Sequence, residues 1–201
     1  MALRQLIQSR VIEAVGRSVG ASRGPRSRRR RPFEASGPRG RPTPLRSPIL
    51  LQVVAALPQL RGPWSAETVS DFLAETVIPM RIAVDSLSGW PLVLSVWFVA
   101  DGMELVGAIR PDSMLARCLR RRPVCGFEVA ADVPPYMGVR GRADVDLDEG
   151  AGAAILDRLL VRYTGSLDTP LGRRLRTRRE DELCLRLRPS LLVSWDYRKR
   201  M

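Results

Sequence analysis

A run of alternating apolar and polar residues over positions 91–146 constrains the fold of this chain more than any other stretch. In its last segment, four small or apolar residues alternate with four charged ones, namely Val139, Gly141, Ala143 and Val145 with Arg140, Arg142, Asp144 and Asp146. A period of two residues buries one set of side chains and leaves the other in water, as in an antiparallel sheet. Two earlier segments meet at Asp101-Gly102, a strong hairpin signal. The stretch therefore predicts an antiparallel sheet that organises the rest of the chain.

The same patterns predict seven strands, at 80–84, 92–99, 103–109, 124–130, 138–147, 182–187 and 191–197. They also predict three helices. The first covers 66–76 with Ser65 as its N-cap, and the second is capped by Asp112 and runs to about Arg121. The third and longest starts at Asp148. In this last helix, Ala151, Ile155, Leu159 and Tyr163 share one face. A polar loop rich in arginine is expected over 164–179. Because few helices cross the sheet, closure into a small barrel is the simplest way to remove its edges.

The charge of the chain is divided unevenly along its length. Residues 1–61 contain thirteen arginines against Glu13 and Glu34, which accounts for almost all of the net charge of +12. The remainder is close to neutral. We therefore predict a basic, largely disordered extension over residues 1–61 and a folded domain over residues 62–201. Arginine-mediated contact with nucleic acid is conceivable for the extension, but a solvated tail is the favoured interpretation.

The composition excludes several classes of chemistry. The chain has no histidine, so the commonest general base and metal ligand is absent, and so is a Ser-His-Asp triad. Its three cysteines are too few and too scattered for a disulfide framework or a zinc site, and no metal site is predicted. The apolar runs are far shorter than the roughly 20 residues of a membrane-spanning helix. A soluble, cytoplasmic protein is expected. An organellar location is the alternative if residues 2–19 form a transit peptide, to which their arginine-rich, acid-poor composition is suited.

The order of these segments resembles the pyridoxamine 5'-phosphate oxidase-like family, the FMN-binding split barrels. The resemblance covers about residues 69–196. It is carried by GWPLVLSVWFVADGMEL for the first hairpin, SMLARCLRRRPVCGFEV for a helix and strand, PPYMGVRGRADVDL, a helix ending in RY, and the closing LRPSLLVSWD. It implies a mainly β, six- to seven-stranded antiparallel split barrel with a few flanking helices. It also implies a homodimer with a cofactor groove between two subunits.

The resemblance further implies which residues border the cofactor. Ser95, Val96 and Trp97 would lie along the flavin ring, and the ribityl phosphate would be held by Ala108, Ile109, Arg110, Ser113, Met114 and Leu115. A phosphate is bound well by backbone N–H groups at a helix N-terminus together with an adjacent cation. Many relatives have a basic pair where this chain has Met114-Leu115, and an Asn where it has Cys118. This departure leaves three expectations open: FMN, a deazaflavin coenzyme, or no cofactor.

Two functions follow from these expectations. The first is an FMN- or deazaflavin-dependent oxidoreductase that acts on an unidentified small molecule. In such an enzyme the cofactor performs the hydride chemistry and the protein supplies position and electrostatics, so a chain without histidine is no obstacle. The alternative is a non-catalytic split-barrel dimer that binds a flavin or another small ligand weakly or not at all. No residue stands out as an acid or a base, so no catalytic residue is predicted.

Overall fold

The computed structural model describes residues 57–201. The expectations for residues 2–19 and for the arginine-rich stretch 20–48 lie outside the described residues. Within them the chain forms eight strands: β1 (Gln59–Arg61), β2 (Met80–Asp85), β3 (Pro91–Val96), β4 (Val99–Asp101), β5 (Glu104–Ile109), β6 (Val124–Ala130), β7 (Met137–Asp148) and β8 (Leu183–Asp196). Four α-helices accompany them: α1 (Ala66–Glu75), α2 (Met114–Arg121), α3 (Gly152–Thr164) and α4 (Pro170–Arg176). A 3-10 turn follows at Arg179–Asp181.

The strands form one curled antiparallel sheet in the order β3-β2-β6-β7-β8-β5-β4, and β1 pairs with β8 in parallel. The predicted fold class, a mainly β split barrel, is confirmed. Strand β6 begins and ends where alternation placed it, and β7 differs from its prediction by one residue at each end. The hairpin between β4 and β5 turns at Asp101-Gly102, where Gly102 adopts a φ of +60°. Strand β1 was not predicted, because three residues are too few to show a period.

The strand predicted over 92–99 is interrupted. It ends at Val96 and resumes at Val99, so that Trp97 and Phe98 stand outside the ladder. The cause is a change of partner: β3 pairs with β2, whereas β4 pairs with β5. An alternating sequence carries no sign of such a change, and the prediction of one continuous strand was wrong.

The two closing strands predicted on either side of Arg188-Pro189-Ser190 are one strand. Strand β8 pairs with β7 along its whole length, and the register shifts where Ala143 is opposite Pro189 and Arg142 is opposite Leu191. Ser190 is thus an extra residue in a β-bulge, a position at which a nearby proline is tolerated. The strand continues through the proline that we had taken as a break.

Three predictions about helices were wrong. Asp112 does not cap α2, because Ser113 does so by accepting a hydrogen bond from the backbone N–H of Ala116 at 3.1 Å. Asp148 does not start a helix, because it is the last residue of β7 and α3 begins at Gly152. The polar loop expected over 164–179 contains α4, whose N-cap is Thr169 and whose first residue is Pro170. A threonine before a proline is a helix-start signal that the density of arginines obscured.

Two apolar clusters lie on opposite sides of the sheet. The larger fills the inside of the barrel, where α1 and α2 pack, and includes Leu73, Leu119 and Phe127. The smaller lies outside, where Ile155 and Leu159 of α3 pack on Val99, Val106 and Cys184. The face predicted for this helix is confirmed, since Ala151 and Tyr163 flank the same cluster.

The outer surface of the sheet therefore has two parts. The part formed by β4, β5 and the start of β8 is covered by α3, and we call it the covered half. The part formed by β2, β3, β6, β7 and the end of β8 has exposed outward side chains, including Val93, Arg140 and Arg142, and we call it the open half. In the part of the chain that the structure describes, no helix has the length and apolarity needed to cross a membrane.

Candidate functional site

The interruption between β3 and β4 is held by one tyrosine of α3. The backbone N–H of Phe98, which has no ladder partner, donates to the Tyr163 hydroxyl at 3.3 Å, and that hydroxyl donates to the carbonyl of Ile78 at 3.4 Å. The Tyr163 ring stacks on the Trp97 indole with 4.8 Å between centroids and 5° between planes. Burial raises the pKa of Tyr163, so the hydroxyl keeps its proton. The half-buried Trp97 is thus fixed as a flat aromatic surface beside the break.

Strand β5 approaches Trp97 closely at Gly107. A Cβ atom at this position would lie 2.9 Å from the carbonyl oxygen of Trp97, so only glycine fits without displacement of the backbone. The next residue, Ala108, packs in the same cluster as Trp97. The structure therefore brings these two predicted site residues together.

Ser95 and Val96 point to different sides of the sheet. Ser95 is exposed on the open half and is opposite Arg81 of β2, which forms an ion pair with Glu128 of β6 at 3.7 Å. Val96 faces inward and packs against the main core. Only Ser95 and Trp97 of the three predicted ring contacts present side chains toward the outside of the barrel.

The predicted phosphate cation is already paired. Arg110 follows β5 and forms a two-point ion pair with Asp112, with its Nε and Nη2 atoms each 2.9 Å from a carboxylate oxygen. This hydrogen bonding raises the pKa of Arg110 and lowers that of Asp112. Both side chains are exposed to water, so the pair contributes little to stability and exchanges readily with solvent or a ligand.

The start of α2 offers backbone groups rather than side chains. The Ser113 hydroxyl is buried and caps the helix. Leu115 and Ile109 are core residues, with exposed fractions of 2% and 8%. Met114 alone presents a side chain to solvent there. The N–H groups of Met114 and Leu115 belong to the first turn, whose donors have no partners within the helix. An anion at this position would meet two backbone donors and no lysine.

Sequence reasoning missed several contributors to this region. Tyr163 was assigned only to a helix face, and its stacking on Trp97 depends on a contact between distant segments. Glu182, just before β8, acts electrostatically on Arg110, and burial raises its pKa. Arg178 acts in the same way on Asp112. Charged residues around the turn at Arg179–Asp181 therefore act on the candidate site, which no local pattern in the sequence indicates.

A shallow cleft of about 530 Å³ lies across the open half. Its floor includes Ala83 and Gly126, two small residues that are paired across β2 and β6. Two arginines, Arg122 and Arg142, and two carboxylates, Asp85 and Asp144, stand at its walls. None of the residues that line the cleft belongs to the candidate site around Trp97.

A flavin-type cofactor fits this site in part. Trp97 provides a flat wall for a ring, and the start of α2 provides donors for a phosphate. The cation expected beside the phosphate is bound to Asp112 within the same chain. A single subunit therefore supplies one wall of a ring pocket and an incompletely charged phosphate site.

The chain has the split-barrel fold of pyridoxamine 5'-phosphate oxidase-like proteins. Among solved structures it is similar to the conserved hypothetical protein Rv2991 from Mycobacterium tuberculosis, with 22% identity, a TM-score of 0.58, and coverage of 69% of this chain and 88% of that one. It is also similar to an F420 reductase, with 24% identity, a TM-score of 0.51, and coverage of 65% and 97%. No protein-family profile and no curated protein matches the sequence. At these identities the similarity shows the fold.

Proposed function

We propose that this protein binds a flavin-type cofactor at the seam between two copies of the chain and acts as an oxidoreductase on a small molecule. The observation that carries the proposal is the Trp97 ring, held flat against Tyr163 next to the strand that leads into α2. From Gly107 to Arg110 the strand advances three residues, about 10 Å. A ligand with an aromatic ring at one end and a phosphate at the other suits that spacing. When bound, such a cofactor supplies the hydride chemistry.

The open half supports the dimeric part of the proposal. It combines exposed apolar groups such as Val93, which is 61% exposed, with charges of both signs on neighbouring strands. Non-obligate interfaces have this mixed composition, in contrast to the uniformly apolar interior of a domain. A two-fold axis on this surface would place the second copy beside Ser95 and Trp97 and complete the groove.

The identity of the cofactor is the finer part of the proposal. The absence of a basic residue at Met114 or Leu115, and the pairing of Arg110 with Asp112, weaken the case for FMN, whose terminal phosphate requires charge compensation. The similarity in fold to an F420 reductase supports a deazaflavin as the alternative ring system. Both cofactors would use Trp97 in the same way.

Titration of the purified full chain with FMN, and separately with the deazaflavin F420, tests this function by fluorescence. We expect micromolar binding of one of them. The Trp97→Leu variant should weaken it by about two- to twelvefold, because stacking on an aromatic side chain contributes about 0.5–1.5 kcal/mol beyond buried area. Trp97→Phe should restore most of the affinity. Trp90→Leu is the matched control, because Trp90 is 77% exposed at the β2–β3 hairpin. Equal effects of Trp97→Leu and Trp90→Leu would refute the assignment.

The dimer requires a separate measurement. Val93→Glu should convert the chain to a monomer, because it replaces an exposed apolar group of the open half with a charge. Val161→Glu should leave the association unchanged, because Val161 has a similar exposure of 52% but lies on α3, outside the open half. Light scattering coupled to size exclusion gives the masses. A wild-type monomer at all accessible concentrations would contradict the proposal.

The second candidate function is a dimer without catalytic activity. The Arg110–Asp112 ion pair favours it, because it occupies the only cation that the predicted site supplies. The same titrations separate the two functions. A chain that dimerises through the open half and binds neither FMN nor F420 would support this second function over the first.

A further inference from the structure

An arginine-rich segment outside the predicted cofactor site encloses a small cleft of its own. Helix α4 and the residues that follow it contribute Arg173, Arg176, Thr177 and Arg179, which line a space of about 310 Å³. We call it the arginine cleft. Sequence analysis treated this segment as a polar loop, and neither the proposed cofactor nor the dimer uses these residues. The cleft therefore requires its own explanation.

Two of the three guanidinium groups share one carboxylate. Asp157 of α3 accepts a hydrogen bond from Arg179 Nη1 at 2.8 Å through one oxygen, and its other oxygen forms an ion pair with Arg176 Nε at 3.0 Å. The Asp157 side chain is 26% exposed, so this pairing is partly buried. Each arginine is thereby held by Asp157, and Arg179 also donates from Nε to Glu180 at 2.9 Å.

The third guanidinium group is fixed by the backbone. Arg173 donates through Nη1 to the carbonyl of Asp168, which leaves its Nε and Nη2 free of other hydrogen bonds within residues 57–201. The Thr177 hydroxyl donates its proton to the carbonyl of Arg174, so toward the cleft it can act only as a hydrogen-bond acceptor. Guanidinium N–H groups are consequently the main donors that the cleft presents.

Charge within the cleft does not balance. Three arginines line it, one carboxylate is shared between two of them, and Glu180, which pairs with Arg179, has 76% of its side chain exposed. Like charges held together are unfavourable unless an anion lies among them. Guanidinium groups in fixed orientations bind phosphate and carboxylate oxygens through paired hydrogen bonds. The geometry thus favours an oxyanion in the cleft.

We propose that the arginine cleft binds the phosphate or carboxylate group of a small ligand. The segment that lines the cleft runs into Asp181, which acts electrostatically on Arg110 of the predicted cofactor region. It does not depend on the cofactor, however, since every residue that forms it is in α3, α4 or the adjoining turn. Cofactor binding and anion binding can therefore fail independently.

The test is isothermal titration of the full chain with pyrophosphate and, separately, with citrate, at low and at moderate salt. The ion that binds more tightly identifies the phosphate or the carboxylate as the natural group. Arg173→Gln should weaken binding at least tenfold, because a hydrogen bond to a charged group contributes about 1.5–3 kcal/mol. Arg173→Lys should give an intermediate loss, since the charge remains and the fork of donors is removed.

Arg61→Gln is the charge-matched control. Arg61 is exposed on β1 and forms no ion pair among the described residues, and its loss should change the affinity by less than about twofold. Equal weakening in Arg61→Gln and Arg173→Gln would show general attraction to a basic chain and would overturn the proposal. So would binding of a single-stranded RNA oligomer without binding of either small anion. Thermal unfolding of each variant verifies that it is folded.

Discussion

The covered and open halves of the sheet are built from the same alternating strands but are completed differently. On the covered half, the outward residues Val106 and Ala108 of β5 are apolar, and α3 lies on them. On the open half, the outward residues of β7 are charged, as at Arg140 and Arg142, whereas β3, which is separated from β7 by β2 and β6, carries exposed apolar groups such as Val93. The first surface is completed within the chain. The second is left exposed by the described part of the chain, and the proposed dimer would cover it.

The largest expected effect comes from the covered half. Leu159→Ala removes a side chain that is 1% exposed between α3 and the sheet, and we expect it to lower the free energy of unfolding by about 2–5 kcal/mol. Leu191→Ala, on the open half, should cost less than about 1 kcal/mol at concentrations where the chain is monomeric. Urea unfolding measures both. Equal losses of unfolding free energy in the two variants would show that the open half is also covered within the chain, and the two halves would then not differ.

Much of this division could be foreseen from the sequence, and some could not. Alternation located β6 and β7, and the spacing of Ile155 and Leu159 predicted the face of α3 that packs, because both signals are local. Which part of the sheet that helix covers depends on strand order, which alternation does not determine. The candidate site shows the same limit: Trp97 was found, but its partner Tyr163 lies 66 positions away and the Arg110–Asp112 pair depends on side-chain orientation.

Two cysteines sharpen the comparison, because they lie on opposite sides of the sheet. Cys125 faces the interior of the barrel, and burial raises its pKa to about 12; Cys184 lies under α3, and its pKa is also raised by burial. Local opening of α3 exposes Cys184 alone, whereas Cys125 requires wider unfolding. We expect Cys184 to react at least about tenfold faster with a thiol reagent at pH 8. Mass spectrometry of labelled peptides measures the two rates, and faster labelling of Cys125 would contradict the assignment of the two faces.

The raised thiol pKa values also fix the direction of a pH effect. The folded state holds the Cys125 proton to about pH 12, whereas an unfolded thiol releases it near pH 9. The folded state therefore binds more protons between these values, and this contribution to stability falls as the pH rises above 9. The free energy of unfolding, measured at pH 8 and at pH 10 for Cys125→Ala and for the parent chain, isolates the contribution of this thiol. A parent chain that loses no more stability than the variant would contradict the burial of this thiol.

A smaller effect is expected where the covered half meets the break between β3 and β4. Tyr163→Phe keeps the ring that stacks on Trp97 and removes the hydroxyl that accepts from the Phe98 N–H. We expect a loss of about 1 kcal/mol in the free energy of unfolding, since one backbone donor is left without a partner. Cofactor affinity should change little, because the flat aromatic surface remains. A strong loss of affinity with unchanged stability would mean that the hydroxyl itself contacts the ligand.

The smallest effect on stability is expected at the edge of the candidate site. Asp112→Asn breaks the exposed ion pair with Arg110, and we expect the free energy of unfolding to change by no more than about 0.5–1 kcal/mol. The same change frees Arg110 and removes a negative charge from the start of α2, so affinity for FMN should rise several-fold if the phosphate binds there. Asp71→Asn is the control, because Asp71 is exposed on α1 and its loss changes the net charge equally. A gain common to both variants would reflect net charge alone. No gain in either would remove the start of α2 from the cofactor site and leave Trp97 as its only supported contact.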